Sequence, residues 1–139
     1  MTDTVVDNLI LDLSRRWHAP KVALIGYSFG ADVLPFLVNR LEASVRTRIA
    51  NVVLLGLGTS AQFEFHLAEW LGQSGGTEYS TVPEVNRLTM PVTCVRGADE
   101  DDSACGLIKN QRAHVVTVGE GHHFGGDYER LVDVILAAR

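Results

Sequence analysis

The chain has 139 residues, 46% of them hydrophobic and 21% charged, which suits one soluble domain spanning 1–139 with a core of its own. Twelve basic side chains against 17 acidic ones leave a net charge of −5, which argues against a nucleic-acid partner; the one basic cluster, Arg46-Thr47-Arg48, reads as a solvated helix end. No stretch is long and apolar enough for a membrane span, and the first ten residues lack the basic-then-apolar pattern of a signal peptide.

Residues 4–18 predict an amphipathic helix. Val5, Leu9, Leu13 and Trp17 recur every fourth residue with Val6 and Ile10 beside them, and Thr4 with Asp7 resembles a capping box. His18-Ala19-Pro20 ends it, because proline disfavours helical geometry in the residue before it. Residues 21–26 form a short apolar run, the pattern of a strand buried on both faces of a parallel sheet. Helical spacing returns over 29–42 with Val33, Leu34, Leu37, Val38 and Leu41. A second buried strand falls at 51–58, and an aromatic-rich helix at 61–71, where Phe63, Phe65, Trp70 and Leu71 could cover a substrate groove or pack the core. A Gly/Ser-rich loop spans 72–80, and residues 82–88 suggest a short helical turn. Strands at 91–97 and 113–119 enclose an acidic loop, and a helix from Tyr128 closes the chain. This alternation is the signature of an α/β fold with a mainly parallel sheet.

Chemistry in such sheets collects at the carboxyl ends of the strands. Three polar groups fall there: Ser28 after the first strand, the acids Asp99 to Asp102 after the third, and His122 and His123 after the fourth. Gly26-Tyr27-Ser28-Phe29-Gly30, between strand and helix, matches the sharp turn that lifts a nucleophilic serine above a sheet. Glycines on either side remove colliding side chains, and the Phe29 amide can bind an oxyanion at the start of the helix. Serine needs a base, and the base needs an acid to hold its tautomer. Gly-x-Gly-His-x-Phe favours His122 over His123 as that base. For the acid, Glu100 lies three residues after Gly97 and Asp102 precedes Ser103; at least two of the four acids are a solvated turn. The remaining histidines, His18, His66 and His114, carry no metal-ligand spacing, and neither metal nor cofactor is expected. Cys94 and Cys105 are too few for a disulfide scaffold and read as one bridge or two buried thiols. An unrelated doubly wound domain using residues 26–30 to hold a phosphate lacks the lysine of a P-loop.

Residues 24–41, Leu54–Gly58 with 63–72, 97–105 and 121–128 resemble the VirJ/AcvB family of bacterial virulence proteins, a branch of the α/β-hydrolases, over nearly the whole chain. The resemblance places Ser28 on the elbow serine and His122 and His123 in the histidine loop. Its Glu-x-Asp-Ser-x-Cys pattern falls on Glu100, Asp102, Ser103 and Cys105, and favours Asp102 as the acid. It implies a periplasmic protein linked to virulence and type IV secretion, with secretion-system proteins as partners. It further implies ester hydrolysis, with aminoacyl-phosphatidylglycerol as a possible lipid substrate, or else a binding module that keeps the shape without catalysis. A periplasmic setting allows a Cys94–Cys105 disulfide. Family domains begin with further strands and a glycine-rich loop carrying a second oxyanion amide, ahead of the first helix seen here. The expectation that follows is a partial domain, with the 22–26 strand at a sheet edge where a second copy of the chain could pair.

Overall fold

The computed structural model describes residues 2–62 and 78–138. Helix α1 (Thr2–Arg16) leads to strand β1 (Val22–Tyr27), helix α2 (Phe29–Arg40), a short α3 (Ala43–Arg46) and strand β2 (Ile49–Leu55). A small antiparallel pair, β3 (Ser60–Gln62) with β4 (Glu78–Ser80), precedes the short α4 (Val82–Asn86). Strand β5 (Val92–Arg96), strand β6 (Ala113–Thr117) and helix α5 (Tyr128–Ala137) complete the order. Strands β1-β2-β5-β6 form one sheet in that order, every neighbouring pair parallel.

The two central strands are apolar at nearly every position because both faces of the sheet are covered. Val52, Leu54, Val92 and Cys94 join a core with Ile10 of α1, Ala31 and Val38 of α2 and Val85 of α4. Val53, Leu55 and Val95 point the other way, into a smaller cluster with Val118, Phe124 and the inner side of α5. Strand β1 behaves differently. It lies at the sheet edge, and alternate residues Ala23, Ile25 and Tyr27 are exposed on the α5 side. The apolar run at 21–26 therefore marks an edge strand with one covered face, and not a strand buried on both faces.

Helix α1 corrects another expectation. Asp7, Ile10 and Ser14 face the core, while Val5, Leu9, Leu13 and Trp17 stand outside, Trp17 at 79% exposure. A helix repeats every 3.6 residues, so a four-residue stripe and an adjacent 7-10-14 stripe cannot both face one sheet. The helix begins at Thr2, so Asp7 is interior to it and no capping box forms. Arg46 is likewise no solvated end: its Nη1 donates to the Asn39 and Leu41 carbonyls and closes the C-terminus of α2. At 61–62 the chain is strand β3, not helix; the rest of the aromatic segment, with Phe63, Phe65, His66, Trp70 and Leu71, lies outside the described residues. Cys94 and Cys105 are joined in a disulfide that ties the turn Cys105–Leu107 back to β5.

Candidate active site

The parallel register ends the four strands at one level, Tyr27 beside Leu55 and Arg96 beside Thr117, so the loops that follow converge. Ser28 sits in the first of them with φ 56° and ψ −118°, a conformation that non-glycine residues avoid. Two bonds hold it there: its N–H donates to the Leu55 carbonyl (2.8 Å), and its own carbonyl accepts the Asp32 N–H (3.1 Å) as α2 begins. A Cβ at Gly26 would come within 2.6 Å of the Gly30 carbonyl oxygen, which explains that glycine. Gly30 is different. Beyond its own helix backbone and chain neighbours, a Cβ there meets no described atom within 4 Å, so the expected collision with a neighbouring element at the second glycine of the motif is absent among the described residues.

His122 Nε2 lies 2.8 Å from Ser28 Oγ, and His122 Nδ1 lies 2.6 Å from Glu100 Oε2. A neutral imidazole with its proton on Nδ1 donates to Glu100 and accepts from the Ser28 hydroxyl. The Glu100 side chain is only 5% exposed, and its other oxygen accepts the Gly97 N–H (3.1 Å). The expected acid, Asp102, does not reach His122. It is exposed on the rim of the same cavity, two residues beyond the point where the chain turns toward the histidine. Glu100 wins because Gly97 and Ser103 pin its backbone turn, the Ser103 N–H donating to its carbonyl at 3.2 Å. His123 is engaged with Tyr27 instead of Ser28, its Nδ1 2.9 Å from the Tyr27 hydroxyl, which donates to the His122 carbonyl (3.1 Å). Phe29 opens α2, so its N–H precedes the helical hydrogen-bond ladder and stands next to the serine.

Ser28, His122, Glu100 and Asp102 line a cavity of about 240 Å³ together with Asp32 and residues 56–60. Among the described residues its charged lining is acidic, with neither lysine nor arginine. Asp32, one helical turn beyond Ser28, accepts the Gly58 N–H on Oδ1 (2.8 Å). Burial raises its carboxyl above the usual carboxylate range, the Gly58 bond opposing that rise. Gly56, with φ +73°, gives the histidine room: a Cβ there would lie 2.7 Å from His122 Cε1. Asp32 and Gly56 were not singled out from sequence; their only signals were a position four residues after Ser28 and a glycine closing a strand. A larger hollow of about 430 Å³ lies at the opposite, amino end of the strands, lined by Lys21, Arg46 and Pro91 among others, with no histidine or carboxylate among its described lining residues.

The family model describing the bacterial virulence protein VirJ matches residues 2–139. No curated protein sequence matches the chain. Among solved structures, a thioesterase domain from the curacin biosynthetic pathway superposes with a TM-score of 0.60 at 15% identity, over 97% of this chain and 72% of its own. A lipase-esterase related protein from Clostridium acetobutylicum gives 0.58 at 16% identity, over 94% of this chain and 73% of its own. A meta-cleavage product hydrolase from Pseudomonas fluorescens gives 0.57 at 12% identity, over 96% and 70%. At these identities the likeness establishes the α/β-hydrolase fold.

Proposed function

The chain belongs to the VirJ family of bacterial virulence proteins, and from that premise we propose that it is a serine hydrolase of carboxylic esters, working through Ser28, His122 and Glu100. The carrying observation is the unbroken line of hydrogen bonds from Ser28 Oγ through both ring nitrogens of His122 to Glu100. In this reading Ser28 Oγ attacks the ester carbonyl while His122 Nε2 takes its proton. Glu100 holds the tautomer and stabilises the imidazolium. The Phe29 N–H donates to the oxyanion. His122 then protonates the departing alcohol, leaving an acyl group on Ser28. Water, giving its proton to His122, attacks that acyl group; the carboxylic acid leaves and Ser28 recovers its hydrogen.

The substrate we favour is an aminoacyl ester of phosphatidylglycerol. Asp32 and Asp102 beside the nucleophile suit an acyl group that carries an ammonium, and no lysine or arginine among the described lining residues opposes it. A periplasmic setting accords with the disulfide, since such bridges persist in oxidising compartments. Among the described residues no helix is long and apolar enough to cross a membrane. The test is labelling by a fluorophosphonate, followed by release of free amino acid from aminoacyl-phosphatidylglycerol vesicles. Wild type should label and release; Ser28→Ala should do neither, with turnover down by about 10⁶-fold. Equal amino acid release by the two proteins would sink the proposal.

A second reading has its own support. The outward stripe Val5, Leu9, Leu13 and Trp17, with the edge strand β1, offers apolar surface and unpaired backbone for another protein, a secretion-system component or a second copy of the chain. A binding module of this kind would keep its partner when Ser28 is replaced by alanine.

A further inference from the structure

We propose that Asp99 is a positioning residue that latches the acid loop to the histidine loop and so sets the aim of His122; this rests on the hydrolase reading above. Neither loop holds its functional side chain alone. The acid loop leaves β5 at Gly97, and the histidine loop leaves β6 at Val118. Their backbones interlock where they start: the Val118 N–H donates to the Arg96 carbonyl (2.9 Å), and the Ala98 N–H to the Gly119 carbonyl (2.8 Å). At Gly97 and Gly121 they run in direct backbone contact, since a Cβ at Gly97 would fall 2.2 Å from the Gly121 carbonyl oxygen.

Beyond that contact only two bonds join the loops among the described residues, and they come from adjacent residues on each side. Asp99 Oδ1 accepts the Gly121 N–H at 2.5 Å, and Glu100 Oε2 meets His122 Nδ1 at 2.6 Å. Asp99 therefore grips the residue immediately before the histidine. That residue is a glycine at φ +73°, and apart from its chain neighbours no described atom lies within 4 Å of where its Cβ would be. With no side chain of its own it has no rotamer or Cβ packing to fix its torsions, and those torsions direct the His122 side chain. The charged acceptor on its N–H adds a directional restraint to the backbone contact with Gly97. The bond lies at the protein surface, so it contributes little to global stability and its effect should appear in the alignment of the relay.

The experiment compares Asp99→Ala, Asp99→Leu and Asp99→Asn in the full chain. Asparagine keeps an oxygen that can accept the Gly121 N–H; leucine keeps the shape without an acceptor and stands in if the alanine variant fails to fold. Two readouts are taken. The first is ester hydrolysis: kcat should fall by about tenfold or more in the alanine and leucine variants, with KM within about twofold, and return to within about threefold of wild type in Asp99→Asn. The second is the downfield proton resonance of the His122 Nδ1–Glu100 bond, which should be sharp in wild type and Asp99→Asn and broadened or lost in the other two. This second readout tests the latch even in a protein that turns nothing over. A sharp resonance in all variants overturns the latch, as does an equal loss in Asn and Ala. Failure of the hydrolase reading looks different: the resonance follows Asp99 as expected, while wild type and Ser28→Ala release the same amount of product.

Discussion

The elbow around Ser28 and the paired loops around Glu100 and His122 place their groups by opposite means. At the elbow the placement is local. Five consecutive residues, a strand before them and a helix after them fix a strained serine, and the key contact is between Gly26 and the backbone at Gly30. At the loops the placement is long-range. Glu100 and His122 are 22 residues apart and meet through hydrogen bonds whose partners no short pattern identifies. The contrast separates what a motif encodes from what only the folded chain assembles.

The largest effect expected from breaking that contrast is at the long-range side. Glu100→Gln should lower kcat by about 10³–10⁴-fold, because an amide there no longer stabilises the imidazolium and can impose the wrong tautomer. Asp102→Asn should stay within about fivefold of wild type, and steady-state hydrolysis of a soluble ester measures both. At the local side, Gly26→Ala forces a Cβ against the Gly30 carbonyl and should cost about 2–4 kcal/mol in denaturant unfolding. Gly30→Ala, with open space at its Cβ, should be neutral or stabilise by up to about 1 kcal/mol. A role for both glycines in avoiding collisions would make the two costs equal.

Gly56→Ala sharpens the comparison from between the two regions. Its Cβ would push on the His122 ring, so kcat should fall by about 10–100-fold. The smallest effect concerns Asp32. Burial raises its carboxyl above the ordinary value of 3.8, so folding favours the protonated form. That contribution is complete below the ordinary value and is lost as pH rises through the raised one. Asp32→Asn, which retains an acceptor for the Gly58 N–H, should therefore melt slightly higher than wild type near neutral pH, and the gap should close in acid. Thermal melts at the two pH values measure it.

The same division explains how much of the molecule was legible beforehand. Alternating apolar runs and helical spacings gave the α/β class, and the centres of the four parallel strands and of α1, α2 and α5 fell where expected, because each depends on neighbours in sequence. The glycine pattern pointed to Ser28 for the same reason. The core side of α1 was hidden: two apolar stripes lie side by side on that helix, and only the position of the sheet selects Ile10 over Leu9. The choice of acid was hidden too. Four acids in a row carry equal local weight, and what separates Glu100 from Asp102 is the Gly97 N–H and the distance across to another loop. Arg46 looked like surface charge because the carbonyls it closes belong to a helix that ends several residues earlier.

The bridge between Cys94 and Cys105 has a consequence for the chain before it folds. The two cysteines are 11 residues apart and enclose the whole acid loop, Glu100 near its middle. In the chain-entropy picture, closing a ring of that size removes roughly 3 kcal/mol of conformational freedom from the denatured ensemble. The saving falls on the segment whose ordering is otherwise hardest to secure, a run of like-charged acids with no helix or strand of its own. When the sheet edge or a helix end transiently opens, Glu100 is confined to a small arc beside β5, and the search that returns it to His122 is correspondingly short.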